Sequence, residues 1–241
     1  MNQLRLAARE TRCSKDKKIS FESDTVTAHH SSTVRKRDHL YSNGHIVGRN
    51  GHSAQVDSKP KRVDYPRLLA LGRELLLAIG EDPEREGLRE TPRRWADAWR
   101  EFIEYDPGTT ETTFSSVASD QMVCVSGIRV ASLCEHHLLP FGSDVSIGYI
   151  PDEKVLGLSK FARIAQQFAH RLQLQEQLGQ QIADEITRIT GTQNVAVVLT
   201  GEHHCMTARG IRSPRRMTTS TMRGVFRTQS ETRMEFLRLI E

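Results

Sequence analysis

Cysteine is scarce and scattered. The 241 residues hold four thiols, Cys13, Cys124, Cys134 and Cys205, with no short repeating spacing among them. That excludes a disulfide framework of the secreted kind and favours thiols kept as metal ligands or buried in a reducing compartment. Long apolar runs are missing as well. None approaches 18 residues, so no membrane partner is expected, and the start MNQLRLAARETRCSKDKK lacks the apolar stretch of a signal peptide. A cytoplasmic protein is the expectation. Aromatic residues make up 6% of the chain, and no basic stripe interleaves with them, which argues against nucleic acid as a partner. The excess of positive charge is local: residues 1–60 carry 11 basic and 6 acidic side chains, whereas the remaining 181 carry 23 and 24. The pI near 9.0 therefore describes the front segment rather than the body behind it.

What is present divides the chain. Residues 1–60 are rich in Ser, His, Asn, Lys and Arg without periodicity, and read as a disordered basic extension. Five of the ten histidines (His29, His30, His39, His45 and His52) lie there in polar company, which reads as solvation in preference to a metal-binding tail. A helical region over 61–120 follows. Leu68, Leu71, Leu75 and Ile79 recur at helical steps from about Tyr65, and Thr91 before Pro92 reads as the N-cap of a second helix bearing Trp95, Trp99 and Phe102. Over 121–241 the pattern is strand, strand, helix, helix, strand, strand, with Gly191 closing the second helix and Ser230 capping a last one. This is an α+β arrangement with an antiparallel sheet.

Two short stretches carry the chemistry. ASLCEHHLLP (131–140) sets Cys134 and His137 three residues apart, a separation that a turn can close onto one point. GEHHCMTARG (201–210) repeats the Cys/His theme, and on an extended strand His203, Cys205, Thr207 and Arg209 share a face while His204 and Met206 point away. Cys134, His137 and Cys205 would form a Cys₂His zinc site whose open fourth position is the mark of catalytic zinc. His136 and His203 would stay unliganded beside it, free to move protons near neutral pH. Unrelated core thiols and satisfied histidines are the alternative; two such clusters on neighbouring elements outweigh it. A zinc nucleoside deaminase is excluded, because H-x-E followed by P-C-x-x-C is absent. Lys160 and Arg163 fall in the first turn of a helix capped by Ser159, and Arg93 and Arg94 in the first turn after Thr91. Cations there oppose the helix dipole by about 0.3–1 kcal/mol each, a penalty that a bound anion would reverse. With Arg209, they suggest a phosphate-bearing substrate.

LCEHHLLPFG, YIPDEKVLGLSKFARI, QLQEQL, EHHCMTARGIR and ETRMEFLRLI occur in this order, behind EDPEREGLRETPRR. On these motifs the chain resembles the GTP cyclohydrolase I family from about Tyr65 to its end, so that 61–241 would be one such domain. The resemblance implies a T-fold: an antiparallel four-stranded sheet with two helices on one side, preceded by a helical region, with sheets joined into an oligomeric barrel. In this family the assembly is a homodecamer of two stacked pentamers with active sites between chains. The implied reaction is zinc-dependent hydrolysis of GTP to formate and 7,8-dihydroneopterin triphosphate, the first step of folate or tetrahydrobiopterin biosynthesis. Carried over residue by residue, Cys134, His137 and Cys205 bind zinc, His203 protonates the purine, and His136 is the second proton carrier. Ser159 lies near the ribose and Gln175 with Glu176 reads the guanine edge. Lys160, Arg163 and Arg209 contact the triphosphate, joined by Arg94 from a neighbouring subunit. Asp97, His204 and Thr207 depart from the lysine, tyrosine and lysine often found at those positions.

Overall fold

The structure is a computed structural model that describes residues 62–115, 121–213 and 215–241. The expected extension over 1–60 lies outside the described residues. The chain first forms a helical pair, α1 (Tyr65–Ala78) and α2 (Thr91–Ile103). Asp64 caps α1 by accepting from the Arg67 N–H at 3.1 Å. The cap of α2 falls one residue earlier than expected: Glu90 holds the N-cap position and Thr91 is already helical. The two helices approach closely at Gly72, where a Cβ would lie 3.1 Å from Pro92 Cα. Gly72 and Leu76 are therefore the buried face of α1. Leu71, Leu75 and Ile79, part of the stripe read from the sequence, stay 47%, 48% and 65% exposed.

The core follows. Strands β1 (Thr113–Ser115), β2 (Val123–Cys134), β3 (Pro140–Tyr149) and β4 (Lys154–Leu156) lead into helix α3 (Leu158–Ala169). The chain continues through β5 (Leu172–Gln173), α4 (Gln175–Thr190), β6 (Val195–His203), the one-turn helix α5 (His204–Thr207), β7 (Arg216–Met222), α6 (Val225–Thr228) and α7 (Ser230–Leu239). The main sheet runs β5-β2-β3-β6-β7. Its four long strands pair antiparallel, and the two-residue β5 adds a short parallel edge beside β2. β1 and β4 form a separate small ribbon. Gly191 ends α4 in the left-handed conformation, φ 83°.

Alternation in β6 shows how the layers close. Val195, Val197 and Leu199 face α3 and α4 and join Phe161, Ile164, Phe168, Leu178, Ile182 and Ile186 in the main core. Ala196 and Val198 face the other way and meet Phe226 of α6 and Phe236 of α7. Both faces of β6 are thus covered, so it reads as an unbroken apolar run rather than an alternating one. Each fully buried Leu, Ile or Phe side chain contributes about 1.5–3 kcal/mol. That burial fixes the register of the strands whose ends carry the site.

Candidate active site

β2 ends at Cys134, and the chain reverses into β3 within five residues. The Cys134 N–H donates to Leu139 O and the Leu138 N–H to Cys134 O, both at 2.9 Å. Leu138 takes φ 54° to complete the reversal, a left-handed conformation that non-glycine residues seldom adopt. This tight turn returns the His137 ring to the cysteine, with Nδ1 3.7 Å from Cys134 Sγ. The exposed His136 ring stands edge-on to His137, centroids 6.1 Å apart.

The third member arrives by a route the strand pattern did not foresee. Residues 204–207 are helical, not extended, so the alternation expected from His203 to Arg209 does not occur. His203 ends β6, and the helical turn that follows carries Cys205 to the other two. The ligand atoms of Cys134, His137 and Cys205 all lie within 4.8 Å of one another. Burial pushes the Cys205 thiol up, as do the charge and hydrogen bond of Cys134, while the nearby Arg209 charge pulls it down. Two thiols and one imidazole converging in this way are a donor set suited to zinc, and a divalent cation among them would offset the thiol repulsion. His204 is exposed and outside the cluster.

His203 sits between β3 and α4. Its ring stacks on Phe141, centroids 4.5 Å apart and planes 6° from parallel, because the strand register sets Phe141 opposite it. Burial lowers its pKa, and the Glu176 carboxylate opposes that shift. Glu176 is exposed in the first turn of α4. Gln175 beside it is turned inward instead: it is 1% exposed, and its amide is engaged by protein partners, among them His203 Nε2 at 2.9 Å. A direct contact between its side chain and a guanine edge is therefore not what this geometry offers.

The cationic group gathers around the start of α3. Gly157 holds the N-cap position, so Ser159 is the second helical residue and not the cap; Lys160, the third, lies in the first turn as expected, whereas Arg163, the sixth, falls in the second. Lys160 Nζ donates to Thr109 O at 2.7 Å, and Arg163 Nη1 donates to Pro107 O. A strap over residues 106–112 thus holds both cations, contacts that the sequence reading missed. Arg94 is exposed on α2 next to Glu90, whose carboxyl Arg93 holds below its usual range. Asp97 accepts from Tyr65, Arg93 and Arg100, so it ties the helical pair together.

Fold and site define an α+β protein in which Cys134, His137 and Cys205 converge as a donor set able to hold a metal ion. The model of the family described as GTP cyclohydrolase I matches residues 70–241. A relative from Hyperthermus butylicus named GTP cyclohydrolase 1 is 46% identical over 179 residues, 74% of this chain and 92% of its own. Relatives from Pseudomonas syringae pv. tomato and Corynebacterium glutamicum are 49% and 48% identical, covering 70% and 75% of this chain and 92% and 95% of theirs. The chain belongs to the GTP cyclohydrolase I family, and it is a hydrolase that acts on GTP.

Proposed function

We propose that Cys134, His137 and Cys205 hold a zinc ion, and that the residues around them convert GTP and water into formate and 7,8-dihydroneopterin triphosphate. The convergence of the three ligand atoms within 4.8 Å carries this reading. A zinc ion held by Cys134, His137 and Cys205 would supply Lewis acidity and lower the pKa of a bound water. His203, stacked on Phe141, delivers a proton to the purine as its five-membered ring opens, and the exposed His136 handles the second transfer. Glu176 accepts from the guanine N–H and amino donors, an exposed carboxylate close enough to His203 to act on its charge. Ser159 meets the ribose. Lys160, Arg163 and Arg209 neutralise the triphosphate at the start of α3 and the end of α5, with Arg94 added from a neighbouring subunit.

The product feeds folate or tetrahydrobiopterin synthesis. The bare apolar face of α1, with Leu71, Leu75 and Ile79 exposed, supports an oligomer in which a second copy covers it. The decamer of two pentamers, with sheets joined into a barrel, is the assembly we propose. Reduced thiols at the site suit the cytoplasm, and among the described residues no helix is long and apolar enough to cross a membrane.

The test is formate release from GTP by the purified protein, before and after the metal is stripped and zinc restored. Formate that disappears with the metal and returns with zinc supports the assignment. A zinc-loaded, assembled protein that releases none overturns it.

A further inference from the structure

Gln175 opens α4 but turns away from solvent. Its Nε2 lies 3.2 Å from Leu199 O, 3.0 Å from Met217 O and 3.2 Å from Thr219 Oγ1. Backbone carbonyls only accept, so this end of the amide must be the NH₂, and the orientation follows from the bonding. The other end, Oε1, faces His203 Nε2 at 2.9 Å and Ser143 Oγ at 3.4 Å. An amide oxygen cannot donate, so His203 Nε2 carries the hydrogen and donates it. The seat is built for that oxygen: a Cβ at Gly201 would lie 2.5 Å from it, and β6 has a glycine at that place. Phe141 covers one face of the ring. Four elements, β3, α4, β6 and β7, therefore converge on one amide and one imidazole.

We propose that Gln175 is a positioning residue that clamps the His203 ring with Nε2–H turned into the protein, leaving Nδ1 as the nitrogen available to substrate. This rests on the reading above that His203 carries a proton to the purine. A glutamine that reads guanine would act on substrate affinity. A glutamine that aims the imidazole acts on turnover, because general acid catalysis depends on where the proton is held. Such catalysis contributes about 10²–10⁴-fold, so a ring free to turn forfeits part of it.

Three measurements on the zinc-loaded, full-length protein decide it. In Gln175→Met, similar in length but with no acceptor for Nε2–H, kcat is expected to fall about 10- to 100-fold while KM for GTP stays within about twofold. A raised KM with unchanged kcat, or no change in either, overturns the role. The second needs no buried substitution: ¹⁵N spectra of histidine-labelled wild-type protein at pH about 8, above the ordinary imidazole range. The His203 signals, assigned by their loss in His203→Ala, should show Nε2 protonated and Nδ1 bare; the opposite tautomer overturns the proposal. Turnover of His203→Ala is the third. Unchanged kcat there removes the proton-carrier reading itself, whereas lost kcat there beside normal kcat in Gln175→Met overturns the positioning role alone.

Discussion

Cys205 shows how much one residue depends on the turn that carries it. The expected strand would have brought its thiol to Cys134 and His137 on a face shared with His203; the helical turn at 204–207 brings it there by another route. With its thiol pushed up by burial and by Cys134, metal uptake must release protons. Cys205→Ala is expected to lose bound zinc and formate release together while the sheet stays folded, since the residue is only half-buried. Metal content by mass spectrometry checks it, and full zinc occupancy in a folded variant would remove Cys205 from the ligand set. Tyr149 gives a residue-scale pH effect away from the site. Burial raises its phenol above the usual 10.0, against the hydrogen bond it accepts from the Leu156 N–H at 2.9 Å. An unfolded phenol ionises near 10, so this stabilisation is whole below that pH and is lost as pH climbs through the raised folded value. Tyr149→Phe should cost about 1–3 kcal/mol at neutral pH by stranding the Leu156 N–H. The gap to wild type should narrow above pH about 10, read by urea denaturation across the range; a gap that stays constant would mean the hydroxyl ionises freely.

At the scale of elements, the strap over 106–112 is the contact with most to say about substrate. The Gly108 N–H donates to Asp106 Oδ1 at 2.8 Å, and at φ +67° a Cβ on Gly108 would sit 2.5 Å from Arg163 Nη1. Gly108→Ala therefore displaces the guanidinium from Pro107 O and strains the turn, at about 1–2 kcal/mol for the left-handed conformation alone. KM for GTP should rise about fivefold, equivalent to about 1 kcal/mol of lost binding, with kcat little changed. Steady-state kinetics checks it, and an unchanged KM would show that Arg163 does not need its seat. This strap also marks what sequence periodicity cannot deliver. The order β2, β3, α3, α4, β6, β7 was legible because buried faces impose periods of two and 3.6. Cys134, His137 and Cys205 were legible because few residue types ligate zinc. The inward turn of Gln175 and the landing of Thr109 O on Lys160 rest on contacts between residues 24 to 51 apart, which leave no local pattern. The Thr91 and Ser159 caps missed by one or two residues for the ordinary reason that helix ends are set by backbone fit as well as by the capping side chain.

For the whole molecule, charge and homology divide the chain at nearly the same place. The family model matches from residue 70, and the relatives from Hyperthermus butylicus and Corynebacterium glutamicum cover 92% and 95% of their own length while reaching only 74% and 75% of this one. The unmatched remainder is mostly residues 1–60, with 11 basic and 6 acidic side chains. Every residue to which we assign a part in catalysis or in binding substrate or metal lies at Arg94 or beyond, and α1 takes its cap from Asp64, inside what a deletion of 1–60 would leave. Removing residues 1–60 is therefore expected to leave zinc content, assembly and formate release per subunit within about twofold of the full chain. It would also remove a net charge of +5, and any binding to polyanions or anionic vesicles that depends on it should weaken and lose its salt sensitivity. Sedimentation, metal analysis and a formate assay on the two proteins side by side check this. Turnover abolished with the oligomer intact would mean that the front segment reaches into catalysis, and the domain boundary would have to move to include it.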